Sequence, residues 1–266
     1  MGKDKEGKGY NAIEQMVVSA ARAIGDGDVI YVGVGLPTLA TWLAKATHAP
    51  GCTVVHEVGI IRTIPCPLGQ FQDSLPVQSL ADGLSGLFYV NGLAQRGFIN
   101  VGFIGAGQVD KHGNVNDTAA GDYLKPSHRW PGSGGANDVM SFCRKVIIIL
   151  KQSRKRFLEK VDFITCPGHL DGKPGQREKV GLLPHTGPFM VITDLGSYTF
   201  EDREMTLSSI HSGLGVSLER VKEETGWDLK VSPHLRETEP PSNEDLYHLR
   251  EKVDPNKIFV GGKFAL

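Results

Sequence analysis

The 266-residue chain lacks several features that would narrow its function at once. No apolar run approaches the ~20 residues that span a bilayer. The polar, Gly/Lys-rich stretch Met1 to Lys8 has no apolar centre, which argues against a secretory signal or an anchor. Net charge is nearly absent. With 29 basic residues against 30 acidic ones and a formal charge of −1, the overall electrostatics give no case for nucleic acid or an anionic membrane as partner. The one basic stretch, Lys151 to Lys160, is interrupted by Phe157, Leu158 and Glu159 and reads as a solvated surface. Cysteines are few: Cys52, Cys66, Cys143 and Cys166 form no CxxC pair and have no histidine at zinc-ligand spacing. Disulfide and structural-metal frameworks are therefore disfavoured, and a reducing cytoplasm is the expected setting. No internal repeat and no long linker interrupts the chain, whose 40% hydrophobic content is ample for a core.

What is present reads as an α/β protein. Apolar positions from Asn11 to Ile24 recur at helical spacing and stop at Gly25-Asp26-Gly27-Asp28. Val29 to Val32 follows as a buried strand, then a turn with Gly33 and Gly35, then a helix over Thr38 to His48 with Pro37 suited to its first turn. A second strand ends at Glu57, completing a βαβ unit. Phe98 to Ile104, Val146 to Leu150 and Val161 to Thr165 are continuous apolar runs, as expected of strands covered on both faces. After Gly187 the texture changes to a predicted antiparallel meander over Phe189 to Thr193, Ser197 to Phe200 and Met205 to Ile210. Leu218 to Thr225 is a predicted helix with Gly226 in the stop position. A last helix runs from Ser242 to about Val253, with Asp245 completing a capping box. The expectation is one domain over residues 1–266, with residues 1–10 flexible.

Two segments carry chemistry. In Thr53-Val54-Val55-His56-Glu57-Val58-Gly59 a carboxylate ends a β-branched run, at the strand edge where α/β folds keep their reactive groups. Taken alone, such a glutamate reads as a solvated strand end. His56 points to the opposite face if the strand continues through it, and reads as packing or hydrogen-bonded. The second segment, Gly132-Ser133-Gly134-Gly135-Ala136-Asn137, allows close backbone approach and N–H donation to a phosphate, a carboxylate or an oxyanion; taken alone it is equally a surface turn. The Gly33-Val34-Gly35 turn is an incomplete dinucleotide fingerprint, since Thr38 stands where the third glycine belongs.

Together with Phe103 to Asp110, Gly113-Asn114-Val115-Asn116, Gly121-Asp122-Tyr123, Asp162 to Gly168 and Thr225-Gly226-Trp227, these segments resemble the β subunit of a family I CoA-transferase of the glutaconate CoA-transferase type. The order of the landmarks carries the likeness from about Asn11 to the C-terminal helix. The resemblance implies the CoA-transferase (NagB/RpiA-like) fold, a mainly parallel open sheet with flanking helices and an added antiparallel meander. It also implies a separate α subunit in a heterodimer or α2β2 heterotetramer, and an active site between the two subunits. Coenzyme A is then a substrate, with no tightly bound cofactor and no metal.

In that family the glutamate of a Glu-Ser-Gly turn is the nucleophile that forms a glutamyl-CoA thioester, and the match places this role on Glu57. The Gly-Gly-Ala motif places oxyanion or CoA-site contacts on Gly134, Gly135, Ala136 and Asn137. Val58 and Gly59, Gly33 and Gly35, and Arg62 are candidate substrate contacts, and Arg62, Arg129 or Arg177 is a candidate clamp for the distal carboxylate of a dicarboxylic acyl group. Val58 departs from the family serine and removes a hydroxyl beside the nucleophile. Acyl-CoA hydrolysis or decarboxylation with Glu57 as acid or base therefore stays open, as does a purely structural subunit or a glycine-loop nucleotide binder.

Overall fold

The computed structural model describes residues 9–33, 35–66, 68 and 74–261. The expected flexibility of residues 1–8 and the contribution of Val34 to the first glycine turn lie outside them.

Helix α1 (Ala12–Ala21) starts at a capping box, in which the Asn11 side chain accepts from Glu14 N (3.0 Å) and Glu14 accepts from Asn11 N (2.8 Å). Strand β1 (Val29–Val32), helix α2 (Leu36–Ala46) and strand β2 (Thr53–His56) form the predicted βαβ unit, with β1 and β2 parallel. β2 then reverses into β3 (Ile60–Arg62), and the chain passes through a single turn of helix, α3 (Leu75–Gln78), to the short β4 (Gly83–Leu84) and helix α4 (Leu87–Gln95). β5 (Val101–Ile104) returns to pair with β1. An excursion of short strands follows: β6 (Gln108–Asp110), β7 (Val115–Asn116), β8 (Ala119–Ala120) and β9 (His128–Arg129). The glycine loop then leads into α5 (Ala136–Phe142), β10 (Lys145–Ile149), β11 (Phe157–Leu158) and α6 (Gln176–Lys179). The meander is β12 (Pro188–Ile192), β13 (Gly196–Glu201) and β14 (Glu204–Ile210). Helix α7 (Leu218–Glu223), strand β15 (Lys230–Glu237) and α8 (Asn243–Tyr247) end the description, α8 continuing as a wider helical turn over His248–Val253.

Ten strands form one sheet in the order β15-β14-β13-β12-β10-β5-β1-β2-β3-β4. The central pairs from β12 to β2 are parallel, and antiparallel strands flank them on both sides. Alternation along the strands divides the core between two layers. Ile30, Val32 and Val54 pack under α1 and α2, whereas Tyr31 and Val55 face α4 and α5.

Two expectations are corrected and one unpredicted strand is added. Val161 to Thr165 is irregular, because Asp162 turns its carboxylate back to Gln108 Nε2 (2.7 Å) and Gly121 N (2.9 Å), and the segment meets Val115 at its end, where Thr165 N–H (2.9 Å) and Cys166 N–H (3.0 Å) both donate to Val115 O. Helix α7 ends before Gly226, whose role is close approach: a Cβ there would lie 2.5 Å from Phe157 O. β15 has no apolar alternation to announce it, since it is an edge strand interrupted by Pro233 at a shift in register. The capping box at Ser242 and Asp245 is present (2.9 and 3.0 Å).

Two arginines hold the irregular segments. Arg62 is buried and donates to the carbonyls of Ile64 (3.1 Å), Val77 (2.7 Å) and Ser79 (2.6 Å), satisfying the end of α3. Arg177 is also buried. It donates to the carbonyls of Pro167 (2.5 Å), Gly168 (2.7 Å) and Met140 (2.9 Å) and to Thr186 Oγ1 (2.9 Å), tying the Pro167-Gly168 segment to α5. Burial lowers its pKa to about 10, so it stays charged at neutral pH. Arg177→Met leaves these carbonyls without their donor and is expected to cost about 3 kcal/mol of stability, read as a lower urea midpoint at unchanged slope.

Candidate active site

Glu57 lies at the apex of the β2–β3 hairpin. Gly59 N–H closes the turn on His56 O (2.9 Å), and His56 pairs with Ile60, so Glu57, Val58 and Gly59 form a three-residue loop. Gly59 has φ of 104°, a backbone state that an L side chain rarely adopts, and a Cβ there would lie 2.5 Å from Ser85 O. Because Glu57 follows His56, it emerges on the same side as Val55 and Tyr31, toward α5.

The glycine loop meets it there. Gly135 N–H donates to Glu57 Oε1 at 2.6 Å. Neither neighbouring glycine tolerates a side chain: a Cβ on Gly135 would lie 2.7 Å from Tyr31 Oη and 3.1 Å from Glu57 Cγ, and one on Gly134 would lie 2.7 Å from Glu57 Oε1. Gly134 also has φ of 49°. Ala136 lines the same cleft, while Asn137 turns away and donates from Nδ2 to Thr165 O (2.7 Å). The structure thus brings Glu57, Gly134, Gly135 and Ala136 together from segments some eighty residues apart in sequence.

Behind the glutamate, Tyr31 Oη donates to Asn91 Oδ1 (2.7 Å), and Asn91 Nδ2 approaches Asp138 Oδ2 (3.4 Å). Burial pushes the Tyr31 phenol well above its usual range, with the Glu57 and Asp138 carboxylates adding to the effect, so it remains protonated. Asp138 is raised by burial and by Glu57. The cleft beside Glu57 holds about 330 Å³, with apolar walls from Phe103, Ile104, Ala106 and Val139. Asp117 also lines it. Its Oδ1 accepts from Gly107 N at 2.6 Å, and burial raises its carboxyl to about 6 against that hydrogen bond.

The remaining candidates are dispersed. Gly33 lines the cleft and accepts from Thr38 Oγ1 (2.7 Å), and Gly35 caps α2 with φ of 102°. Val58 is exposed. Arg62 and Arg177 are occupied by main-chain carbonyls, and Arg129 lies on β9, bonded to Tyr123 O (2.6 Å) with its guanidinium 5.0 Å from the Tyr123 ring centre. None of the three lines the described cleft. His56 is on the opposite face, buried 6.4 Å from the Trp42 ring with neither ring nitrogen hydrogen-bonded. Burial, then the Arg62 charge, lowers its pKa to about 4 and keeps it neutral. Tyr31, Asn91, Asp117 and Asp138 were absent from the candidates read off the sequence. Only the proximity of Asp117 and Asp138 to the asparagine-bearing motifs hinted at them.

The sequence profile of the coenzyme A transferase family matches residues 13–224, and the chain belongs to that family. It is 40% identical over 245 residues to the B subunit of 3-oxoadipate CoA-transferase from Pseudomonas knackmussii, a match covering 91% of this chain and 92% of that one. The fold superposes on the crystal structure of glutaconate coenzyme A-transferase from Acidaminococcus fermentans with a TM-score of 0.90 at 32% identity, over 95% of this chain and 98% of the other. Succinyl-CoA:3-ketoacid coenzyme A transferase 2A, mitochondrial, of Rattus norvegicus is 27% identical over 249 residues, which is 88% of this chain and 42% of the rat protein.

The raised carboxyl of Asp117 has a signed consequence. Well below pH 3.8 the group is protonated in folded and unfolded chains alike. Between 3.8 and about 6 the unfolded chain has released a proton that the fold still retains, so stability falls as pH rises through this window and the loss is complete above about 6. Asp117→Asn keeps the acceptor for Gly107 N–H and removes the titration. It is expected to gain stability relative to the parent by ~2–3 kcal/mol between pH 4 and pH 7.5, in paired urea titrations at the two pH values.

Proposed function

We propose that this chain is the β subunit of a two-subunit CoA-transferase that moves CoA between an acyl-CoA and a carboxylic acid through a glutamyl-CoA thioester on Glu57. The observation that carries the reading is the Gly135 N–H on Glu57 Oε1 at 2.6 Å, beside an apolar-walled cleft. Its chemical use follows from where charge develops. The Glu57 carboxylate attacks the thioester carbonyl, expelling CoA thiolate and forming a mixed anhydride. The thiolate then attacks Glu57 Cδ, and in that tetrahedral intermediate the negative charge falls on a glutamate oxygen, the atom type to which Gly135 already donates. Collapse releases the first acid as its carboxylate and leaves the thioester on Glu57. An incoming carboxylate attacks Cδ, frees the thiolate again and becomes the second anhydride. Attack of the thiolate on its acyl carbon yields the new acyl-CoA and restores Glu57. The thioester energy passes through unchanged, so the sequence consumes no ATP.

The acids in the names of the two relatives, 3-oxoadipate and glutaconate, are dicarboxylic, which supports a dicarboxylic substrate here. Among the described residues, the arginines proposed from sequence as its clamp serve the main chain or the β9 hairpin instead. The described residues lining the cleft include no cation, which supports a companion subunit as its source. The Pseudomonas relative is by name one lettered subunit of its enzyme, and this chain matches only 42% of the rat protein; both facts support such a companion, in a heterodimer or heterotetramer.

The deciding experiment incubates the co-expressed complex with acyl-CoA, reduces it with borohydride and maps the product by mass spectrometry. Reduction of Glu57 to its side-chain alcohol is the expected result. An unmodified Glu57 in a complex that still consumes acyl-CoA would transfer the reading to hydrolysis or decarboxylation, with Glu57 as acid or base. Gly135→Ala drives a methyl group against Tyr31 Oη and Glu57 Cγ, and is expected to lower kcat by about 100-fold or more in a folded complex, the scale of losing one oxyanion donor.

A further inference from the structure

Residues 58–90 form the least charged long stretch around the site. Among 33 residues only Arg62, Asp73 and Asp82 are charged. Arg62 is buried on carbonyls, and Asp82 accepts from Thr63 N (2.5 Å) and Thr63 Oγ1 (2.8 Å). Yet this stretch is rich in exposed large apolar side chains. Leu75 is 80% exposed, Leu80 84% and Phe88 92%, with Leu84, Leu87 and Tyr89 exposed around them. At about 150–200 Å² for a side chain of this size, the six present roughly 600–800 Å². That compares with ~800 Å² per partner in a standard interface. They belong to one module: β4 is the terminal strand of the sheet, α3 is bound through Arg62 to β3, and α4 starts three residues after β4.

The module is joined to the candidate nucleophile. Ser85, between Leu84 and Leu87, donates both its N–H (2.8 Å) and its Oγ (2.9 Å) to Gly59 O, in the turn that carries Glu57. The Gly59 backbone packs so closely on Ser85 that no side chain fits between them. Val58, in the same turn, is exposed toward solvent.

We propose that this apolar face, Leu75, Leu80, Leu84, Leu87, Phe88 and Tyr89, is the docking surface for the companion subunit, and that docking fixes the Glu57 turn through the Ser85–Gly59 bonds. The inference rests on the two-subunit reading above and adds the place of contact and its effect on the turn. The companion is the occupant because the face adjoins the turn bearing the nucleophile through Ser85, and because the Pseudomonas relative is by name one lettered subunit and this chain matches only 42% of the rat protein. The partner surface is apolar and uncharged to match. A buried partner there immobilises the β4–α4 connection, and the two Ser85 donors pass that restraint to the main chain beside the carboxylate.

The test uses the tagged chain co-expressed with its companion, with Phe88→Asp and Leu75→Asp as separate variants. Both replace exposed side chains, so circular dichroism and thermal midpoint should match the parent. Val180→Asp, at another exposed apolar position following α6, serves as control. The expected result is a rise in Kd for the companion of 100-fold or more in each patch variant, parent-like affinity in the control, and slower amide exchange at residues 57–60 in the parent complex than in the free chain. Parent-like binding by both patch variants would overturn the proposal. So would loss of self-association by the chain with companion binding intact, which would make the face a contact between two copies. Glu57→Gln separates the two readings: under the docking proposal it binds the companion like the parent, whether or not the borohydride experiment finds a thioester. A parent chain that is fully active alone would defeat the two-subunit reading itself.

Discussion

The hydrogen bond from Gly135 N–H to Glu57 joins two parts of the chain far apart in sequence. One is the hairpin that ends β2, the other the loop that starts α5. A carboxylate at a solvent-facing strand end samples several rotamers. Here one of its oxygens is held by a main-chain donor whose own position is set by a helix packed on β5 and by the absence of a side chain at Gly134 and Gly135. The Tyr31–Asn91–Asp138 chain sits directly behind it, so the polar groups around the carboxylate are mutually bonded, with the buried Tyr31 phenol protonated. Much of the local sequence serves this contact: two glycines for approach, Gly59 for the hairpin turn, and the alternation of β1 and β2 for the side on which each residue emerges.

The legible part of the fold was the part written in periodicity. Val29–Val32, α2 with Pro37 in its first turn, the three meander strands and both end-capped helices follow from local pattern and turn chemistry. What escaped is held by distant polar contacts. Val161 to Thr165 reads as a strand, but the Asp162 carboxylate serves Gln108 and Gly121, and β15 pairs as an edge despite Pro233. The β3–β4 module depends on Arg62 reaching three carbonyls, which no spacing rule announces.

The site shows the same division. Glu57 and the Gly134–Gly135 pair stand out because a strand-end carboxylate and a glycine cluster each violate the surrounding pattern, and the family likeness joins them. Tyr31 and Asn91 carry no such mark: a tyrosine in an apolar strand and an asparagine within a helix are ordinary until the order β5-β1-β2 and the α4–α5 layer bring them to one point. Arg62 and Arg177 show the converse, since side chains suited to carboxylates are here occupied by the main chain.

One further consequence lies in the alternation at the end of β2. His56 is buried against Trp42 with neither ring nitrogen hydrogen-bonded, and the next residue, Glu57, goes to the cleft on the other face. Inserting or deleting a single residue within Thr53–His56 would exchange them, pressing a carboxylate against an indole and presenting a neutral imidazole to the glycine loop. Both outcomes are unfavourable, one for folding and one for chemistry. The sequence of this strand can therefore drift by substitution while its length cannot change, and among its descendants β2 should keep its residue count even where its side chains diverge.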